Sequence, residues 1–415
     1  MCSKTLVAQH DLSYFVQAAK ANSPLVRDNK NQSRANLFEA ERLKAQYTKL
    51  QVSVTANYLF SPIINHDNNL SKVDLNSGGA EKYSGYDIAA SNGGQYQALL
   101  NFTQPLFGGQ RAETFASQSL IASQINQNNV RISEHDVEKL VGDQYILCLQ
   151  DRQQLQFTDT LLHILSEQQQ VQKKLTENGL GKQSDLSLLT IELQTQQNAR
   201  ITFFTTYKRD LLDLNVLCGI ADTSFVILPD ISLRLSADTT SSRYLFKYRL
   251  DSLNLVTQQK IFENRYKPLL SAFGNGGLNA VYAPTIPNRF GVSAGLSLTW
   301  TIADGHQKNI NQQKTNALLQ TVGLYSDYFT TQNAVRKKRI ANELKGIEQR
   351  SMILQDQLKE YRKLMTYYKQ ELMQGQLPVI TYINVLKTMA TQQRDYLLLQ
   401  TNRQLLINMY NYWNW

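Results

Sequence analysis

The chain has 415 residues, 42% of them hydrophobic and 19% charged, with a formal net charge of +9. Its mean hydropathy is −0.38, and no run of about 18 apolar residues occurs, which excludes a transmembrane helix but not a β-barrel, whose strands need only about 10 alternating residues each. Three widely spaced cysteines, Cys2, Cys148 and Cys218, exclude a disulfide framework and a zinc spacing. The basic residues are scattered among nearly as many acids and are not gathered with aromatics, so nucleic acid is not an expected partner.

The first nine residues, Met1 to Gln9, lack a full secretory signal; they read as the tail of one cleaved after Ala8, or as a terminus whose Cys2 is lipidated or unmodified. Beyond them, proline placement organises the chain. None of the eight prolines falls between Pro105 and Pro229 or between Pro287 and Pro378. Proline breaks helix interiors, and both gaps are rich in Gln, Leu, Lys, Ala and Glu, which favour helix. Residues 111–177 and 306–373 each read as one helix on the order of 100 Å long.

Each long helix ends at a glycine turn. The first holds Gly179, Leu180 and Gly181, with Ser184 or Asp185 placed to cap a following helix that runs to about Leu217. The second holds Gly375, Gln376, Leu377 and Pro378, with Pro378 suited to the first turn of a helix from Val379 to Tyr410.

Between the helices the period changes. Residues 50–58 alternate apolar and polar, as do Tyr96, Ala98, Leu100 and Phe102 against their neighbours. The cleanest alternation runs from Phe290 through Val292, Ala294, Leu296, Leu298 and Trp300 to Ile302; Leu269 to Tyr282 is a weaker, glycine-rich strand. Strict alternation marks a strand with one apolar and one polar face, and polar loops make the four strands two β-hairpins, about 50–106 and 268–302.

The order helix, hairpin, long helix, helix then occurs twice. Gln104 to Arg111 aligns with Trp300 to Gln307, Gly179 with Gly375, and Gln196-Gln197 with Gln392-Gln393, all at one offset. Tyr47 to Leu50 aligns with Tyr266 to Leu269 at a larger one, and the difference falls in the first hairpin loop. This divides the chain into a first structural repeat, 1–218, a linker, 219–241, and a second repeat, 242–415. Four strands cannot close a membrane barrel, for which about eight is the minimum. An open edge in lipid leaves N–H and C=O groups unpaired. Three copies supply twelve strands, with Phe290, Val292, Leu296, Leu298 and Trp300 facing lipid and Gly, Ser and Thr facing water.

No histidine pairs with another or with a cysteine at metal spacing, no carboxylate pair stands out for acid–base work, and no phosphate loop or nucleophile elbow is present. The chain therefore reads as neither an enzyme nor a cofactor protein. Arg336-Lys337-Lys338-Arg339 is a basic run on a helix, solvated or in contact with a partner. The alternative function is a long-helix scaffold without channel activity, against which the alternating strands argue.

The sequence resembles the TolC family of outer-membrane efflux proteins over nearly its whole length. The resemblance rests on Asn22-Ser23-Pro24-Leu25 opening the first helix, on Gln104-Pro105-Leu106-Phe107-Gly108-Gly109-Gln110-Arg111, on its second copy from Leu298 to Gly305 with Thr301 where proline is usual, and on the turns at Gly179 and Gly375. It implies a mainly α chain with a β membrane part: a homotrimer combining a long α-helical barrel in the periplasm with a transmembrane β-barrel in the outer membrane. It also implies a passive exit duct for a tripartite efflux or type I secretion system, working with a periplasmic adaptor (membrane fusion) protein and an inner-membrane pump of RND or ABC type. Drug efflux, metal efflux and protein secretion all fit. The hairpin tips Gly179, Leu180, Gly181, Gly375, Gln376 and Pro378 would meet the adaptor. In the family's closing network, Asp185 matches the first-hairpin aspartate and Leu377 the arginine that pairs with it, while Thr381 and Asn384 match two aspartates that ring the constriction. By that match the acidic ring is missing here.

Overall fold

The computed structural model describes residues 10–69, 71–75, 80–86, 94–239 and 242–415; Cys2 and the rest of the terminal segment lie outside them. The chain is mostly helical, with a four-stranded sheet inserted between helices. It divides into two compact units, each drawing on both halves of the chain. The first comprises Met1–Asn31, Asn126–Tyr248 and Gly323–Trp415; the second comprises Gln32–Ile125 and Arg249–Val322.

The second unit holds the sheet. Strands β1 (Gln51–Phe60), β5 (Gly94–Leu106), β6 (Leu269–Ala280) and β7 (Phe290–Thr299) pair in that order, every neighbour antiparallel. The two hairpins expected from the sequence are thus joined edge to edge by β5 and β6. Strand β7 ends at Thr299, three residues short of Ile302; just past its end the Trp300 indole Nε1 donates to the Tyr266 carbonyl at 3.1 Å. The long first hairpin loop is structured, not merely polar. It contains β2 (Ile63–Asn65), β3 (Lys72–Asp74) and β4 (Tyr83–Ser84) as a separate small sheet. Asp67 organises it by accepting from the amides of Glu81 and Lys82.

The helical part of this unit packs through small side chains. Ala40, Ala112, Ala116 and Ser123 are buried, and Ser33 and Ser123 share a hydrogen bond of 2.8 Å. Two elbows join sheet to helix. At the first, Gly108 lies so close to the chain that a Cβ there would sit 2.0 Å from the Tyr47 carbonyl oxygen. Arg111 then donates to the carbonyls of Asn264 and Lys267. The two elbows, aligned in sequence, differ in backbone: Phe107 is left-handed in the first, Gly305 and His306 in the second.

The first unit begins with α1 (Leu12–Asn22), capped by the Asp11 side chain on the Tyr14 amide. The Asn22-Ser23-Pro24-Leu25 motif does not open the first helix. It breaks it: α1 stops at Asn22 and α2 (Pro24–Thr48) restarts, since proline disfavours helical backbone at the residue before it and Ser23 has ψ 119. The long helices α3 (Gly109–Glu177) and α6 (Gln307–Met373) are continuous and carry on from one unit into the other; α4 (Gln183–Cys218) and α7 (Val379–Trp413) follow them, and α5 (Leu245–Glu263) leads into β6.

One core of this unit gathers Phe15, Tyr145, Cys148, Tyr207, Leu214 and Leu228. Both cysteines are free and buried, and burial pushes the Cys148 thiol up, and the Cys218 thiol up to about 12. Leu228 belongs to the linker, which forms no helix or strand over its described residues yet is held along its length. The Tyr145 hydroxyl donates to the Pro229 carbonyl at 2.8 Å. The Tyr207 hydroxyl donates to the Val226 carbonyl at 2.8 Å and accepts from the Leu228 amide at 3.1 Å. Arg152 donates to the Leu228 carbonyl and to Asp230. Further along, amide side chains of α7 and its C-cap replace a missing strand partner: Gln404 accepts from the Leu233 amide, Asn411 from the Ser236 amide, and Asn414 from the Thr239 amide. Buried backbone groups need such partners, and the sequence signal for them is the polar stripe Gln404, Asn408, Asn411, Asn414 at helical spacing.

Candidate channel wall and helical hairpin ends

The wall of the candidate site is the four-stranded sheet. Directly opposed residues on antiparallel strands share a face, so the register assigns both faces. One face runs Val54, Leu100, Gly276 and Val292 across the four strands, and in the next rows Ala56, Ala98, Leu278 and Phe290, and Val52, Phe102, Gly274 and Ala294. It is apolar on every strand. The other face runs Thr55, Leu99, Gly277 and Gly291, and Ser53, Asn101, Asn275 and Ser293. It is dominated by hydroxyls, amides and glycine.

Glycine is required at one of these positions. A Cβ on Gly277 would lie 2.1 Å from the Ala98 carbonyl oxygen on the neighbouring strand.

Most of the apolar face of the outer strands is uncovered by the described residues. Val292 is 80% exposed and Leu296 69%, and Phe290 and Leu298 are exposed as well; Trp300, expected on this face, lies just past the end of β7 and is exposed there. All residues of β1 are exposed on both faces. The outer strands β1 and β7 each have only one partner among the described residues. A single-layer sheet with one face apolar but for Gln104, and with two edges open among the described residues, is not a stable end state in water: exposed edges template further pairing, and apolar patches of this kind mark interaction or membrane surfaces.

In the first unit the two hairpin ends are built alike. Gly179 (φ +75) and Gly375 (φ +72) are left-handed, the conformation that closes a helix C-terminus at least cost when glycine holds it. Around them the amides of Leu180 and Gly181 donate to the Leu175 carbonyl, and the Gln376 amide to the Glu371 carbonyl. Leu180 is 79% exposed, and Gln376 and Pro378 are exposed too. The position preceding α4 is Lys182, without a side-chain cap. Asp185 sits in the first turn instead of capping, where a carboxylate favours the helix dipole. Pro378 is likewise one place earlier than expected. It occupies the N-cap of α7, with its carbonyl accepting from the Thr381 amide at 3.0 Å.

Leu377 packs against a core that joins the two hairpins and includes Leu165, Leu189, Leu358, Val379, Tyr382 and Ile383. Thr381 is half-buried and Asn384 exposed on α7. Among the described residues no side-chain hydrogen bond or ion pair joins Asp185 to Leu377, Thr381 or Asn384. The polar contacts that do bridge the hairpins lie elsewhere: Lys387 with the buried Glu192 at 2.8 Å, Lys369 with Glu167 at 3.2 Å, and Arg394 with Gln196 at 3.4 Å. Sequence reading missed them because partners about 200 positions apart leave no local pattern.

The basic run 336–339 is largely occupied. Arg336 lies 4.5 Å over the Trp413 ring, Lys337 pairs with Asp238 at 2.5 Å, and Arg339 lies 3.5 Å from Glu343. His135 stacks on Tyr412 and Trp415, with ring centroids 4.9 and 4.4 Å away; burial holds its pKa below the usual histidine value. Among the described residues no group of three or more His, Cys, Asp or Glu is placed to hold a metal ion, and no helix is long and apolar enough to cross a membrane.

No family model matches the chain, and no curated protein matches it. Solved structures do. The chain is similar to the outer-membrane channel OprN, at 12% identity over 97% of this chain and 89% of that one, with a TM-score of 0.71. It is similar to the Campylobacter jejuni CmeC outer membrane channel, at 9% identity, 98% and 86% coverage and a TM-score of 0.70. It is similar to the open state of the Neisseria gonorrhoeae MtrE outer membrane channel, at 11% identity, 97% and 88% coverage and a TM-score of 0.71. The chain therefore has the fold of an outer-membrane channel. The particular fold is the TolC type that the sequence motifs indicated, and the resemblance holds at that level.

Proposed function

We propose that this chain is one third of a trimeric outer-membrane channel, the passive exit duct of a tripartite efflux or type I secretion system. The observation that carries the reading is the four-stranded sheet, largely apolar on one face, polar on the other and, among the described residues, unpaired at both edges. Three copies joined β1 to β7 close twelve strands, remove every edge and turn the apolar faces to lipid, the condition for a β structure to span a bilayer. Cyclic symmetry is the usual way to satisfy such a self-complementary need. The helices then form a barrel in the periplasm. The exposed hairpin ends at Gly179–Gly181 and Gly375–Pro378 meet a periplasmic adaptor, and an inner-membrane pump of RND or ABC type supplies the energy. The chain itself catalyses nothing.

The hairpins close the duct at rest. Asp185, Leu377, Thr381 and Asn384 lie at the constriction. With leucine, threonine and asparagine at three of these positions, the entrance carries little fixed negative charge, and closure rests on the apolar packing of Leu377 and on pairs such as Lys387 with Glu192.

The test is single-channel conductance of the detergent-extracted protein in planar bilayers, wild type beside Asn384→Asp. Discrete steps with a gain of cation selectivity in the variant support duct and gate together. Steps without that gain keep the duct and remove the gate assignment. A protein soluble without detergent that never conducts overturns the duct and favours a scaffold of long helices.

A further inference from the structure

The sheet has a property that its alternation does not require. Strands β1, β5, β6 and β7 contain no Asp, Glu, Lys, Arg or His. The chain's net charge of +9 lies wholly outside them. The polar face is nevertheless well furnished. Asn57 Nδ2 donates to Gln97 Oε1 at 3.1 Å, Asn101 Nδ2 to Thr55 Oγ1 at 2.9 Å, and Ser293 Oγ to Asn275 Oδ1 at 2.8 Å. These groups satisfy one another across strands, and amides and hydroxyls both donate and accept. They offer a passing solute partial charges of both signs and no net field.

A passage lined by charge of one sign raises the local concentration of counter-ions by about 10- to 1000-fold. A passage lined only by neutral groups does not. Charges beyond the strand ends do not substitute for a charged lining. Asn275 is central in β6, on the order of 17 Å from either end at about 3.4 Å per residue. That is about two screening lengths at 0.15 M salt.

We propose that the membrane-spanning wall of the duct is a charge-free lining dominated by amides, hydroxyls and glycine, which passes cationic, anionic and neutral cargo alike and leaves any selection by charge to residues outside the strands. The inference rests on the duct reading and specifies its cargo class at the membrane.

Thiol modification tests it locally. Asn275→Cys is placed in a Cys2→Ser background, where the remaining Cys148 and Cys218 are buried. The protein is reconstituted in lipid at 0.15 M salt and treated with a cationic and an anionic methanethiosulfonate of equal size. The ratio of the two rates, divided by the same ratio for a free thiol, is expected to lie within about twofold of one. A preference of about tenfold or more for either reagent overturns the proposal. Adding Asn101→Asp should move the ratio toward the cation, which shows that the assay senses lining charge; if it does not move, the lining is not what sets the field and the proposal fails. Ser293→Cys, the cross-strand neighbour, replaces Asn275→Cys if that variant does not assemble. Failure of the duct reading looks different: cysteine at 292, on the opposite face, reacts with both reagents in lipid while 275 and 293 react with neither.

Discussion

Leu296 and Ser297 are neighbours in the second half of β7, yet the register puts them on opposite faces, Leu296 opposite Ala272 and Ser297 opposite Ser271. Lysine at each is a test of which face meets lipid. Leu296 is 69% exposed in the single chain, so nothing within the chain penalises Leu296→Lys by clash. In the assembled barrel the same side chain enters hydrocarbon. A lysine on the lipid face costs about 2–4 kcal/mol per copy at the midplane and less toward the interface, so at most on the order of 10 kcal/mol for three copies. Ser297→Lys faces water and should fall within about 0.5 kcal/mol of wild type, as surface changes do. The assay is the fraction of trimer that survives unheated in detergent gels, together with the urea midpoint of the protein refolded in lipid vesicles. Leu296→Lys should lose the trimer and Ser297→Lys should keep it. Equal losses, or the reverse order, would refute the assignment of faces and with it the membrane wall.

Other consequences of the packing are open to measurement. Tyr207→Phe removes a hydroxyl that serves both the Val226 carbonyl and the Leu228 amide; stranding buried backbone groups should cost about 1–3 kcal/mol, read by thermal unfolding in detergent. Gly108→Ala forces a Cβ to 2.0 Å from the Tyr47 carbonyl oxygen and should cost at least the roughly 1–3 kcal/mol of ordinary overpacking, whereas Gly109→Ala, with nothing within 4 Å of its Cβ, should be close to neutral in the same urea titration. Asp151 is raised from the usual 3.8 to about 7, by burial first and then by the neighbouring Asp210 carboxyl, so the folded state holds a proton that the unfolded chain releases. Stability from this group is full below about 3.8 and is lost as pH rises through about 7; Asp151→Asn should flatten that part of the pH–stability curve, and an unchanged slope would remove the role given to Asp151.

Much of the local structure was legible in the sequence, because local structure follows local rules. The two proline-free stretches became α3 and α6, since only proline or a cluster of breakers stops a run of good helix formers. Gly179 and Gly375 both took left-handed backbone, as the ends of helices call for. The period of two in residues 290–299 appeared as a strand with unlike faces. What stayed hidden was set by partners distant in the chain. Nothing in Asn22-Ser23-Pro24-Leu25 says whether a helix begins or breaks there; the helical residues on both sides of Pro24 decide it. The linker contains no periodic signal, and its course is held by Tyr145, Tyr207, Gln404, Asn411 and Asn414, which reach it from remote helices. Between the hairpins, Lys387 pairs with Glu192 and Leu377 packs into a shared core, contacts whose partners lie far apart in the chain. The sequence by itself determined helix, turn and strand, through propensity and period. Only the tertiary structure decided that β5 pairs with β6, which unites the hairpins in one sheet with two open edges. Backbone hydrogen bonds between strands carry no side-chain code, so pairing is settled by which faces must be covered and which edges closed.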